Sequence, residues 1–522
     1  MQWWRDATVY QVYVRSFSDS DGDGVGDLDG IRARLGYLEL LGVDAIWLTP
    51  FFTSPMADHG YDVADPRDVD PVFGDLDRFD ALVADAHEHG LRITVDLVPN
   101  HTSSEHEWFR AALDSGPGSP ERARYHFRPG HGPDGNEPPN NWRSVFGGPA
   151  WTRVQDPHPS GGYVPGEWYL HLFAAEQPDL NWTNPEVWAD LEKTLRFWLD
   201  RGVDGFRIDV AHGMSKPDGL PDAVNTEGGL LDDAADDPRF DDDAVHDVHR
   251  MIRAVLDHYP GRAAVGEVWV RDDERFARYL RPDELHMGFN FRLLEAAFDA
   301  AVVREAIEHS LAAVAGVKAA PTWALANHDK PRPVTRYGGG ALGTARARAM
   351  ALVMLALPGS AYIYNGEELG LPDVELPDEV LQDPAWERSG HTERGRDACR
   401  VPVPWEGGAP GYGFTTGAPW LPMPPEYGEL TVAEQLEDTD STLSLFRTAL
   451  ELRRTHTGFD GASVEWFGAP EGCLAFRRSG STLVCALNTS TSAVPLPPGD
   501  ILLTSGPLQD GLLPPDTAAW LA

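Results

Sequence analysis

Arg92-Ile93-Thr94-Val95-Asp96-Leu97-Val98-Pro99-Asn100-His101 is a short apolar strand that ends in a proline turn and a polar pair. An amphipathic helical stretch, Leu76–His89, runs directly into it, so the two form one helix-strand unit. The unit recurs along the chain. Strands are predicted at Val9–Val14, Ala45–Leu48, Arg92–Leu97, Gly205–Ile208, Ala263–Val268, Met287–Phe291, Thr322–Ala326 and Ser360–Tyr364. Helices such as Leu28–Leu41, Pro185–Arg201 and Thr344–Leu357 lie between them. Eight such units on this spacing predict an α/β TIM (β/α)8 barrel. A doubly wound open sheet is the neighbouring alternative, but no Gly-rich dinucleotide loop follows the first strand.

Two segments interrupt the pattern. Residues 102–176, rich in Gly, Pro, His and Trp, form a long insertion after the third strand. Residues 371–430 form an irregular segment after the last. Beyond the helix Ser441–Thr455 the pattern shortens to Ser463–Phe467, Leu474–Arg478, Leu483–Asn488 and Asp500–Leu503, which predicts a small antiparallel β-sandwich. The expected organisation is a barrel over 1–101 and 177–457, an inserted domain over 102–176, an irregular subdomain over 371–430, and a C-terminal β domain over 458–522. No internal repeat is visible.

A chain of 522 residues exceeds one compact core. Its net charge of −39 excludes a nucleic-acid partner, which needs a basic surface, and argues equally against an anionic membrane. A small neutral substrate fits that charge. Cys399, Cys473 and Cys485 cannot all pair within the chain, so no disulfide framework is expected. Met1-Gln2-Trp3-Trp4-Arg5-Asp6 lacks the features of a signal peptide, and no apolar run is long enough to span a bilayer. Together these predict a cytoplasmic protein.

Barrel enzymes carry their chemistry at the C-terminal ends of strands. Here those ends read Asp96-Leu97-Val98-Pro99-Asn100-His101, Arg207-Ile208-Asp209, Gly266-Glu267-Val268-Trp269 and Ala326-Asn327-His328-Asp329. Three carboxylates converging with two histidines and an arginine suit glycoside hydrolysis, in which one carboxylate attacks the anomeric carbon and another protonates the leaving oxygen. Asp209 is the candidate nucleophile, because Arg207 at i−2 points to the same side of the strand and favours the ionised form. Glu267 is the candidate acid/base, with Trp269 as an apolar wall that keeps its proton on. Asp329 is a third carboxylate for sugar hydroxyls, and His101 and His328 are neutral donors to them.

These four segments resemble the conserved regions of the α-amylase family of glycoside hydrolases, in the family's order. Gln11-Val12-Tyr13-Val14-Arg15-Ser16-Phe17 and Ile46-Trp47-Leu48-Thr49-Pro50 match as well, and Gln177-Pro178-Asp179-Leu180-Asn181-Trp182 resembles the form found in the oligo-1,6-glucosidase and α-glucosidase branch. The resemblance implies the same three catalytic roles, with Asp329 as transition-state stabiliser. It adds Asp58 and Tyr61 as contacts to the terminal glucose, and Arg400, paired with Asp58, as the wall of a closed pocket. Phe146, Phe173 and Phe289 line that pocket by analogy. A closed pocket implies an exo-acting α-glucosidase. Glucosyl transfer, or sucrose or trehalose conversion, is the alternative on the same frame.

Within the branch, valine after the nucleophile accompanies α-1,6 cleavage, and Val210 stands there. Lys330 replaces the glutamine that many oligo-1,6-glucosidases carry after Asp329. The Gly-rich acidic loop Asp19-Ser20-Asp21-Gly22-Asp23-Gly24-Val25-Gly26-Asp27 offers oxygens to a hard cation, with Val25 giving its carbonyl. Gly30 occupies the twelfth position, where an EF-hand needs glutamate. A structural Ca²⁺ site remote from catalysis is expected at Asp19, Asp21, Asp23, Val25 and Asp27, with Mg²⁺ as the alternative ion and no organic cofactor.

Overall fold

The computed structural model describes residues 2–157, 160–224 and 237–522. Eight parallel strands form the core: β1 (Thr8–Val12), β2 (Ala45–Leu48), β3 (Arg92–Leu97), β4 (Gly205–Ile208), β5 (Ala263–Glu267), β6 (Met287–Phe289), β7 (Thr322–Ala324) and β8 (Ser360–Tyr364). They pair in sequence order from β1 to β6, while β8 pairs with β1 on one side and β7 on the other. β6 and β7 carry no backbone ladder. A side-chain bond closes the ring there, Thr322 Oγ1 donating to the Gly288 carbonyl at 2.7 Å. The result is a nearly closed TIM-type barrel. β1 and β8 are buried at every position, as strands covered on both faces must be.

The surrounding helices bury one stripe each. Pro185–Asp200 starts at the Asn184 side chain, which accepts from the Glu186 N–H, and buries Val187, Leu191, Leu195 and Trp198 against the barrel. The predicted helix Leu28–Leu41 is two helices, Leu28–Ala33 and Leu35–Leu41. The break at Arg34 lays its guanidinium over the Trp405 ring, a tertiary contact that periodicity does not register.

Gly340–Ala356 is apolar nearly all round because it is sandwiched. The barrel covers one side, and the C-terminal sheet covers the other, where Trp520 Nε1 donates to the Leu352 carbonyl. That sheet runs antiparallel in the order Val464–Trp466, Cys473–Arg478, Val484–Asn488, Thr517–Leu521, Ile501–Thr504. Thr517–Leu521, absent from the sequence reading, is fully buried and has a partner on each side.

After β3 the chain leaves the barrel. It forms the helix Glu107–Ser115 and a three-stranded sheet from Phe127–Arg128, Tyr163–Leu170 and Trp151–Pro157. Residues 158 and 159 of this insertion lie outside the described residues. Among the described residues, no helix is long and apolar enough to cross a membrane.

Candidate active site

The polar strand ends meet around one guanidinium. Arg207 donates from Nη1 to Asp96 Oδ1 at 2.8 Å and to Asp209 Oδ1 at 2.5 Å, and its Nη2 lies 2.6 Å from Glu267 Oε2. All four side chains are buried. Burial pushes the Asp209 carboxyl well above its ordinary range, and the like charges of Glu267 and Asp96 add to the push while Arg207 opposes it. Asp96 behaves alike, raised by burial to about 6 against the pull of Arg207. Three carboxyls sharing one cation favour retention of a proton within the group.

A second ionic group stands opposite. Asp329 Oδ1 accepts from Arg400 Nη2 at 2.9 Å and from Arg396 Nη1 at 3.1 Å. Burial alone would raise Asp329, but the guanidiniums of Arg396 and Arg400 outweigh it and hold the carboxyl far below the ordinary range. The expected Arg400–Asp58 pair is not formed. Arg396 Nη2 reaches Asp58 Oδ1 at 2.7 Å, while the Arg400 Nε–H donates to the His328 carbonyl at 2.8 Å. Both arginines flank the short turn Asp397–Cys399, which separates their directions. Asp383 anchors Arg396 from behind, 2.5 Å from its Nε.

Neutral groups orient the charged ones. Gln11 places its amide nitrogen 2.7 Å from His328 Nδ1, so the ring carries its proton on Nε2 and donates to the Tyr61 hydroxyl at 2.7 Å. Tyr61 in turn donates to Asp96 Oδ2 at 3.0 Å. His328 is held neutral by burial. His101, lowered to about 4 by burial, accepts from Asn100 at Nδ1 and donates from Nε2 to the Tyr61 carbonyl. Gln177 reaches outward, its amide nitrogen donating to Asp58 Oδ2 at 3.2 Å.

These groups surround a cavity of about 240 Å³. Its lining includes Asp58, Tyr61, His101, Asp209, Glu267, His328 and Asp329, with Phe146 and Phe173 from the insertion, and Val210, Trp269 and Lys330. Phe289 is not in the lining. It is packed among Trp47, Phe291 and Tyr362 in the barrel core. Gln177, Arg207 and Arg400 also stand behind the lining, as supports. Val145 and Arg396 line the cavity and went unread in the sequence, although Arg396 sits in the same Arg396-Asp397-Ala398-Cys399-Arg400 motif. Asp96 was legible as a strand end, but its place under Arg207 was not. Trp269 is more than an apolar wall, since its indole N–H donates to Glu267 Oε1 at 2.9 Å.

The acidic loop follows β1. Carboxylate oxygens of Asp19, Asp21 and Asp27 lie within 4.8 Å of one another, a spacing that oxygens around one Ca²⁺ adopt. Asp23 lies outside that group and accepts from the Val25 N–H at 2.8 Å. Gly30 cannot be glutamate, because a Cβ there would collide with the Ser18 carbonyl. The donor set therefore fits a hard cation without an EF-hand.

The Alpha amylase catalytic domain family matches residues 11–460. A probable alpha-glucosidase of Rhizobium meliloti is 39% identical over 515 residues, covering 94% of this chain and 90% of that protein. An oligo-1,6-glucosidase of Parageobacillus thermoglucosidasius is 37% identical, covering 87% of this chain and 84% of that protein. The crystal structure of an alpha-glucosyl transfer enzyme superposes with a TM-score of 0.88 at 38% identity, covering 100% of both chains.

Proposed function

The chain belongs to the alpha-amylase family and is an enzyme of the α-glucosidase type; from that premise we propose a retaining, exo-acting hydrolase that releases the non-reducing terminal α-glucosyl residue of short neutral oligosaccharides. Asp209 attacks the anomeric carbon as Glu267 protonates the glycosidic oxygen, which frees the shortened sugar and leaves a covalent glucosyl ester on Asp209. Glu267, now a carboxylate, takes a proton from water. The water oxygen attacks the same carbon, breaking the ester and restoring both carboxyls with the α-configuration retained. Asp329, fixed in its ionised form by Arg396 and Arg400, stabilises positive charge on the flattened ring.

The observation that carries this reading is the sharing of Arg207 between Asp209 and Glu267, which holds the two within reach of one guanidinium. That close approach favours the short carboxyl spacing of retaining enzymes over the wider spacing of inverting ones. The exo reading is supported by contacts between loops in the cavity wall. Arg396 pairs with Asp58 there and lies over the Phe146 ring, and Arg388 ties its helix to the Gly147 carbonyl of the insertion at 3.0 Å. Both contacts join the segment after β8 to other loops at the cavity wall, which supports a pocket blocked on that side.

A structural cation at Asp19, Asp21 and Asp27, with Ca²⁺ preferred over Mg²⁺, belongs to the proposal. A cytoplasmic location does too, supported by three cysteines that are all free. Glucosyl transfer to a sugar acceptor is the second reading, favoured by the likeness to an alpha-glucosyl transfer enzyme. Chromatography of products from maltose, isomaltose, sucrose and trehalose tests both. Free glucose from maltose or isomaltose, abolished in Asp209→Asn, is the expected result. New oligosaccharides would establish transfer, and rearranged disaccharides would displace hydrolysis altogether.

A further inference from the structure

The Glu267 carboxyl is held by a cation and two hydrogen-bond donors, unequally divided between its oxygens. Its Oε2 forms an ion pair with Arg207 Nη2 at 2.6 Å and accepts from the Val210 backbone N–H at 3.1 Å. Among the described residues, its Oε1 receives only the Trp269 indole N–H, at 2.9 Å. A guanidinium and an amide on Oε2 draw negative charge to that oxygen, so the neutral carboxyl is better arranged with its hydroxyl at Oε1. The indole then occupies one lone pair of the hydroxyl oxygen and fixes the direction in which the proton points.

Trp269 is itself held. Its ring stacks on Phe291 with centroids 4.0 Å apart, and the Lys330 ammonium lies 4.8 Å from its centroid. Phe291 adopts φ +49°, an uncommon conformation for a bulky residue that persists only where its surroundings impose it. Lys330 is aligned in turn by Glu295, 3.7 Å from Nζ. A cation on an indole face also polarises the ring and strengthens its N–H as a donor. This gives a physical role to the lysine found where many oligo-1,6-glucosidases carry glutamine.

We propose that Trp269 is a positioning residue for the acid/base carboxyl, aiming the Glu267 proton at the glycosidic oxygen through its indole N–H, and that Lys330 and Phe291 hold Trp269 for this task. The inference rests on Glu267 being the acid. It concerns proton delivery alone, so it applies only to leaving groups that need a proton.

The test compares kcat/KM, which reports the glycosylation step, for isomaltose and for 2,4-dinitrophenyl α-glucoside, whose phenolate departs unprotonated. Trp269→Phe keeps the stack on Phe291 and deletes the N–H. Expected is a loss of about ten-fold or more on isomaltose, the scale of one charge-assisted hydrogen bond, with the aryl glucoside within about two-fold. Lys330→Gln, which does not alter the stack, should show the same selectivity at a smaller amplitude of about three-fold. Glu267→Gln is the control for the premise and should lose isomaltose activity far more than aryl-glucoside activity. With that control selective, equal losses on both substrates in Trp269→Phe, or no loss on either, overturn the positioning role. An unselective Glu267→Gln would instead remove the acid assignment itself.

Discussion

The backbone N–H of Val210 donates to Oε2 of Glu267 at 3.1 Å, so the residue after the candidate nucleophile helps to hold the candidate acid. It does so from φ +43°, a left-handed conformation that a β-branched residue adopts only under constraint. The strained turn therefore couples the ends of β4 and β5, and Ala211 extends it by donating to the Glu267 carbonyl at 3.0 Å.

Because that coupling is a backbone contact, Val210→Ala should retain hydrolysis while changing linkage preference. The side chain lines the cavity and packs with Phe173. Shortening it should raise the ratio of maltose to isomaltose kcat/KM several-fold and cost about 2 kcal/mol of stability, from lost burial plus a small cavity. Steady-state kinetics on both sugars and thermal unfolding check the two parts. An unchanged ratio would mean that the side chain does not contact the acceptor.

The two arginines after β8 have separate partners, and a double-mutant cycle can resolve them. Asp58 bonds to Arg396, whereas Arg400 serves Asp329 and the His328 carbonyl. Asp58→Asn combined with Arg396→Gln should show a coupling energy of about 1–3 kcal/mol in kcat/KM. The same change combined with Arg400→Gln should be nearly additive. Equal coupling to both would mean that Asp58 senses them as one charge cluster.

Strands and their polar ends were legible because burial on both faces leaves apolar runs, and the barrel puts function where each run stops. Less legible was anything set by turns in space. The motif Arg396-Asp397-Ala398-Cys399-Arg400 announces two arginines, but only the 3₁₀ turn at Asp397–Cys399 decides which one meets Asp58. Phe289 reads as a strand-end aromatic, but its ring is taken up by the cluster of Trp47, Phe291 and Tyr362. Thr517–Leu521 escaped because a Thr-Ala-Ala-Trp-Leu pentamer has little strand propensity of its own and is recruited by its neighbours. Trp269 was read for its apolar surface, and the direction of its N–H depends on the Phe291 stack.

Buried histidines set a pH dependence of stability with a definite sign. Burial lowers His126 to about 3, with Lys216 assisting, and a histidine in the unfolded chain titrates near 6.5. Below 6.5 the unfolded chain binds the proton that the folded one refuses, so stability is lost as pH falls from about 6.5 toward 3. The loss is about 1.4 kcal/mol per pH unit for such a group. His126→Gln removes this one contribution. The difference in Tm between variant and parent should be constant above about pH 7 and should move in the variant's favour as pH falls toward 4. A pH-independent difference would show that His126 takes up its proton as readily in the folded protein as in the unfolded chain.

A cation bound at the acidic loop should act through the segment that carries Arg396 and Arg400. Asp19 donates its N–H to the Phe414 carbonyl, and Gly24 accepts from the Trp420 N–H, so the loop is stitched to residues 371–430. Arg15, just ahead of the loop, lies over the Trp420 ring at 4.6 Å. Without a cation, the mutual repulsion of Asp19, Asp21 and Asp27 should loosen this seam. Chelation should therefore lower Tm by several degrees and raise KM for maltose, since the pocket wall is attached to the seam, while kcat near room temperature changes little. Ca²⁺ should restore Tm at lower concentration than Mg²⁺, because flexible carboxylate loops suit the larger ion. Asp21→Asn should weaken the response without touching the cavity, as Asp21 is exposed and remote from the lining. Elemental analysis of the dialysed protein gives the ion content against which each Tm is read. Unchanged Tm and undetectable metal in the untreated protein would leave the loop as a solvated acidic turn, held by its own Asx bonds from Gly22, Gly24 and Val25.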